Sequence, residues 1–306
     1  MNAIQLNEVT KSFAKHLAVN NLSLTVPKGS VYGFIGPNGS GKTTTLRMIM
    51  NILLPDKGEI RVLGERLTQT SSDRIGYMPE ERGLYKRMKV RDLLQFFAEL
   101  KNYHHRNAAV DDWLQRLDLT DWADKKVETL SKGMSQKVQF IATVVARPEL
   151  VILDEPFTGL DPVNTEVIKD AILGLQAEGT TVIFSTHDMA MAEKMCDFIF
   201  MIFNGKKVLD GTLESIQNQY GQDTIRVRTT DGNASLANIN GVEKVNSFGH
   251  YKELRMAKGS DSQQILSEIL KCTRIQSFDL VKPSLHDIFL RIAGSESAEV
   301  ADAQIN

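Results

Sequence analysis

The stretch FIGPNGSGKTTTLRMI, Phe34 to Ile49, decides the fold, because it sets glycines and a lysine where an apolar strand meets an amphipathic helix. Gly36, Pro37, Asn38, Gly39, Ser40, Gly41, Lys42 and Thr43 fit the spacing G-x-x-x-x-G-K-[ST] of a phosphate-binding loop, and Thr44 continues it into the helix. Val31 to Ile35 reads as a short buried strand, and Thr43 to Ile52 has helical spacing. With no side chain at the glycines, backbone N–H groups can turn toward phosphate oxygens while the helix presents its positive end to the same point. The pattern predicts a cradled triphosphate, with Lys42 neutralising its β and γ phosphates and the Thr43 hydroxyl ligating Mg²⁺. A glycine-rich turn without a ligand is the plain alternative, and the strand and helix on either side weigh against it.

A second apolar strand, within Pro148 to Pro156, ends in the carboxylates Asp154 and Glu155, for which a solvated strand end is the plain alternative. In a parallel sheet it would end at the same edge as the phosphate loop, where ligands bind. Asp154 is then expected to hold Mg²⁺ through water, and Glu155 to polarise an attacking water as general base. Thr181 to Asp188 repeats the design, a β-branched strand ending in a titratable group, His187. A lone histidine is more often structural than catalytic; its place at a strand end makes His187 the expected sensor of the γ-phosphate.

Composition limits what these motifs can mean. The chain has 306 residues, enough for one large α/β domain and a smaller one. A formal net charge of −2 gives no basic stripe for nucleic acid, so no nucleic-acid partner is expected. Cys196 and Cys272 lie far apart without metal-ligand spacing, as suits a reducing compartment. No apolar stretch approaches the roughly 20 residues of a membrane helix, and MNAIQLNEVTKSF lacks the apolar core of a signal peptide. The chain is therefore not expected to cross a membrane itself.

Between the phosphate loop and the acidic strand stands LSKGMSQ, Leu130 to Gln136, followed by a helical pattern from Lys137 to Val144. Ser131 alone could be a helix N-cap, worth about 1 kcal/mol. Taken with the other motifs, it resembles the signature loop of ABC ATPases. That family's order of phosphate loop, glutamine loop, signature, acidic strand, D-loop and switch histidine runs through Ile4 to about Gln219. The resemblance implies adenine stacking on Phe13, a D-loop at Gly159-Leu160-Asp161, and a head-to-tail dimer in which Ser131 and Gly133 of one copy cover ATP held at Lys42 of the other. A core aromatic is the alternative for Phe13. Two departures stand out: Glu80 occupies the glutamine position, as a possible Mg²⁺ ligand of added charge, and the signature reads LSKGM where LSGGQ is commonest. PEERGLY together with LSKGMSQ looks like the ATP-binding subunits of type-2 exporters, especially of the sodium-extrusion kind.

The expected fold class is α/β: a P-loop NTPase of ABC ATPase type with an antiparallel β layer from Ile4 to Pro27 and a helical subdomain over about 86–146, plus a small C-terminal α+β domain. The ATPase domain is expected over 1–220, the accessory domain over 221–293, with a split βαβ arrangement, and a mobile tail over 294–306. Phe96, Phe97, Leu100, Trp113 and Leu117 are the expected buried stripe of the helical subdomain, and Arg82 to Met88 the expected dock for a permease. The resemblance implies ATP and Mg²⁺ as cofactors, an integral membrane permease and a second ATPase subunit, with a homodimer favoured, as partners, and a peripheral place on the cytoplasmic face of the membrane. Two other readings remain open: a soluble ABC ATPase of translation or repair, and a regulatory subunit that does not hydrolyse ATP.

Overall fold

A computed structural model describes residues 1–14, 16–66, 73–81, 83–221, 223–230, 236 and 238–293. The chain separates into two compact units, Met1–Thr212 and Leu213–Asn306.

In the first unit the elements follow in the order β1 (Asn2–Phe13), β2 (His16–Pro27), β3 (Val31–Ile35), α1 (Lys42–Ile49), β4 (Lys57–Val62) and β5 (Ile75–Met78). Then come α2 (Val90–Leu100), α3 (Arg106–Arg116), α4 (Lys132–Val144), β6 (Leu150–Asp154), α5 (Pro162–Ala177), β7 (Thr181–Thr186), α6 (Met189–Met195), β8 (Phe198–Phe203) and β9 (Lys206–Gly211). The central sheet has the order β5-β6-β7-β3-β8-β9, parallel except for β9. Strands β3, β6 and β7 are buried along their whole length, as a parallel sheet covered on both faces demands of its apolar runs.

Alternation decides what each face touches. Val151, Leu153, Val182 and Phe184 pack into one core with Val90, Leu94, Trp113 and Phe140 of the helices. Leu150, Ile152, Ile183 and Phe34 point the other way, toward a core shared with Ile4, Leu22 and Val62 of the antiparallel sheet β2-β1-β4. The parallel sheet is thus the middle of a three-layer stack, and its strand ends set the functional edge.

The buried face of α2 differs from the expected one. Val90, Leu93, Leu94 and Ala98 are buried, Phe96 and Phe97 are half-buried, and Leu100 is 57% exposed. The helix ends at Leu100, so its core-facing stripe runs through positions 90, 94 and 98; Leu100 falls at the stripe's edge in the last turn. Trp113 and Leu117 are buried as expected.

The second unit contains α7 (Leu213–Tyr220), β10 (Thr224–Thr229), β11 (Val242–Ser247), β12 (Lys252–Met256), α8 (Ser262–Cys272), β13 (Ile275–Val281) and a closing helix over 285–293. Its sheet order is β11-β12-β10-β13, with every neighbour antiparallel. β12 and β13 therefore run the same way with β10 between them, which makes β12-α8-β13 a split βαβ unit over a core of Ile225, Val227, Leu254, Ile265 and Ile269. The tail over 294–306 lies outside the described residues. Among the described residues no helix is long and apolar enough to cross a membrane.

Candidate active site

The turn between β3 and α1 needs its glycines for space. A Cβ on Gly36 would stand 2.3 Å from the Ile202 carbonyl oxygen of β8, and one on Gly41, where φ is +108°, would stand 2.5 Å from the Ala18 carbonyl oxygen of β2. The loop is wedged between two strands, with no room for a side chain at either glycine. Lys42 is 6% exposed and folds back over the loop, donating from Nζ to the Gly36 carbonyl at 2.7 Å and to the Pro37 carbonyl at 3.2 Å. Burial lowers its pKa, and the charges of Glu155, Asp154 and Glu80 oppose that shift.

Parallel register delivers the acids. Asp154 pairs with Ser185 across β6 and β7, and the Ser185 hydroxyl donates to Asp154 Oδ1 while accepting the Glu155 N–H at 3.0 Å. Glu155 sits at φ +52°, an uncommon conformation for a side chain of its size, held by its surroundings. Its Oε1 stands 3.9 Å from Lys42 Nζ and 3.0 Å from His187 Nδ1, and Thr158 Oγ1 donates to its Oε2 at 3.2 Å. Asp154 Oδ2 and Ser40 Oγ are buried without a hydrogen-bond partner. Ser185→Ala would leave Asp154 Oδ1 and the Glu155 N–H without that shared partner. It is expected to lower the unfolding free energy by about 1–3 kcal/mol, read as a lower urea midpoint at an unchanged slope.

A cavity of about 340 Å³ opens on this edge, lined by Phe13, Asn38, Gly39, Gly41, Lys42, Thr43, Thr44, Glu80 and Glu155, together with His16 and Ala18, which the sequence motifs did not single out. Phe13 is 44% exposed at its rim, with Lys11 Nζ 5.6 Å from the ring centroid. Ser131, Gly133 and Asp161 are not among the lining residues and form a second cluster. Ser131 caps α4 by accepting the Met134 N–H at 3.2 Å. Asp161 caps α5 by accepting the Asn164 N–H at 2.9 Å, and bonds from the Asn164 backbone and side chain hold its carboxyl below the usual range. A Cβ on Gly133 would stand 3.0 Å from Asn164 Nδ2, so the two helix starts abut. Ser185, Thr158 and Gln136, whose Nε2 donates to the Pro156 carbonyl at 2.9 Å, escaped the sequence reading because their roles depend on strand register and helix facing.

Comparison with known proteins places this geometry in a family. A family model described as ABC transporter matches residues 19–158, and one described as ATP-binding protein DrrA1-3-like, C-terminal domain, matches residues 211–293. The chain is 40% identical over 294 residues to the uncharacterized ABC transporter ATP-binding protein YhaQ of Bacillus subtilis, covering 95% of this chain and 99% of that one. It is 33% identical over 303 residues to Nod factor export ATP-binding protein I of Sinorhizobium fredii, covering 96% and 87% respectively. A solved structure described as the ATP binding subunit of an ABC transporter superposes with a TM-score of 0.67 at 28% identity, over 72% of this chain and 93% of that chain. The chain belongs to the ATP-binding proteins of ABC transporters. It is an ATPase of that family, whose members bind ATP and work with membrane permease components.

Proposed function

We propose that this chain powers an exporter by hydrolysing ATP as a dimer of identical subunits bound to the cytoplasmic face of a membrane permease, with sodium or drug efflux as the transport class. The observation that carries the reading is the convergence of Lys42, Glu155 and His187 on one edge, within 3.9 Å of one another along the chain of contacts Lys42–Glu155–His187. Export is supported by the name of the Sinorhizobium relative and by the PEERGLY and LSKGMSQ motifs.

The carbonyls of Gly36 and Pro37 that now accept from Lys42 stand in for phosphate oxygens, and an entering triphosphate exchanges one set of acceptors for the other. Phe13 offers a ring at the rim for adenine. The oxygen donors Thr43, Asp154 and Glu80 fit Mg²⁺, and the unpartnered buried Asp154 Oδ2 is what such a cation would satisfy. Among the described residues no group of three or more His, Cys, Asp or Glu is placed to hold a metal ion. That suits a cation that takes much of its coordination from phosphate and water. Bound Mg²⁺ would neutralise charge developing on the phosphoryl oxygens. Glu155 Oε1 accepts the proton of the attacking water, and His187 orients that carboxylate and faces the γ-phosphate. A second copy, set head to tail, brings Ser131 and Gly133 at the start of α4 to cover the triphosphate, adding a helix N-terminus to the charge stabilisation.

The permease would dock on the helical subdomain. A groove of about 460 Å³ is lined by Leu84, Val127 and Leu130 with Lys86, Glu128 and Ser135, and Tyr85, 54% exposed, packs its ring on Phe96 and Phe97 beside it. Arg82, the first residue of the expected dock, lies outside the described residues. Tyr85→Asp is expected to weaken recovery of the permease by about tenfold or more while the intrinsic phosphate-release rate of the purified chain stays within about twofold. Copurification with the permease checks the first and phosphate release with and without detergent-solubilised partner checks the second: stimulation by the partner supports the reading, and an ATP-binding chain that never releases phosphate contradicts it.

A further inference from the structure

Helix α4 carries two buried glutamines three residues apart, Gln136 at 4% and Gln139 at 5% exposure. Residues at that spacing share a helix face, and this face meets two acidic segments. Gln136 Nε2 donates to the Pro156 carbonyl, directly after Glu155. Gln139 Nε2 donates to the Pro79 carbonyl at 2.9 Å and to the Glu81 carbonyl at 3.4 Å. Those two carbonyls flank Glu80, which lines the nucleotide cavity and whose charge acts on Lys42. Glu80 itself is exposed, so packing does not fix its side chain; its placement follows the backbone that Gln139 holds. Gln139 Oε1 is buried with no partner, a cost that an apolar residue would avoid. What the glutamine supplies at this position is its amide donor.

We infer that Gln139 is a positioning residue for the ATPase reaction: its amide sets where Glu80 stands, and so ties engagement of Mg²⁺ to the position of helix α4, whose first turn carries Ser131 and Gly133. The inference rests on the proposed role of Glu80 toward Mg²⁺. Through α4 the segments holding both acids, Glu80 and Glu155, would shift together when the helix moves. A displacement of the signature end thereby reaches the metal site without any new contact.

Gln139→Met keeps the side-chain volume and removes the donor. It is expected to raise the Mg²⁺ concentration for half-maximal phosphate release, and the dissociation constant of Mn²⁺ from the ATP-loaded protein measured by paramagnetic resonance, by about tenfold, as loss of an outer-shell partner does. ATP affinity in EDTA and the urea midpoint stay near wild type. Glu80→Ala gives the same metal shift, and the double variant adds nothing further, since the two act on one interaction. Gln139→Leu, which also removes the donor and leaves no buried polar atom, shows the same shift and serves if the methionine variant does not fold. An unchanged metal requirement in the Gln139 variants beside a shifted one in Glu80→Ala overturns the inference, as do additive effects. A Glu80→Ala variant with no metal shift overturns it too, while hydrolysis by the wild-type chain would leave the ATPase reading standing.

Discussion

Glu155→Gln is expected to lower the turnover number for ATP hydrolysis by about 10²–10⁴-fold, with ATP affinity held within about threefold. The amide keeps the length and shape of the carboxylate, so it can still meet His187 Nδ1 and the Thr158 hydroxyl, the contacts Glu155 makes at 3.0 Å and 3.2 Å. What it loses is the capacity to take a proton from water. It also removes the negative charge facing Lys42, which favours binding of the anionic nucleotide. Single-turnover phosphate release and equilibrium binding of a fluorescent ATP analogue separate the two effects. A turnover number near that of the wild type would remove Glu155 from the role of base.

Lys42→Ala is expected to fail one step earlier, in binding. A buried ammonium that accounts for the charge match with the β and γ phosphates supplies about 2–5 kcal/mol when its partner is a desolvated anion, so ATP affinity should fall by about 30-fold or more. The fold should survive, because Lys42 itself lines the open cavity, so water can enter its place and hydrogen-bond the Gly36 and Pro37 carbonyls that it now caps. Far-ultraviolet dichroism distinguishes this outcome from misfolding. Normal affinity in a folded variant would refute the phosphate-loop assignment.

The strand, loop and helix from Val31 to Ile49 were legible because three signals coincide there: a continuous apolar run, glycines at fixed offsets, and helical spacing after Lys42. Asp154, Glu155 and His187 were legible for a related reason, since each follows an apolar run, and the strands of a parallel sheet end at one edge. Ser185 was not, although it bridges Asp154 and Glu155. Its role follows from the pairing of β6 with β7, and no local pattern encodes which residue of a neighbouring strand falls opposite. Gln139 was hidden likewise, since a glutamine within a helical pattern reads as a surface position until the facing backbone is known. On α2 the aromatic side chains drew the predicted stripe toward Phe96 and Leu100, whereas the smaller Val90, Leu94 and Ala98 take the core. Periodicity alone puts positions 90, 94 and 98 on one face, with Leu100 at its edge in the last turn.

The small C-terminal sheet shows the converse. Its strands could be read from short alternating runs such as Thr224 to Arg228, and the helix between the third and fourth strands supplies the crossover that lets β12 and β13 run parallel on either side of β10. Local pattern and topology agree in that unit, as a sequence that specifies one structure requires.

The most direct test of the central claim is to isolate the tagged chain from native membranes under gentle detergent and identify what accompanies it. An ATP-hydrolysing subunit of an exporter is predicted to bring down a multi-spanning integral membrane protein, lost when Tyr85 is replaced by Asp, whose presence raises phosphate release. Recovery of ribosomal or DNA-repair proteins, with no membrane protein in the complex, would contradict the account.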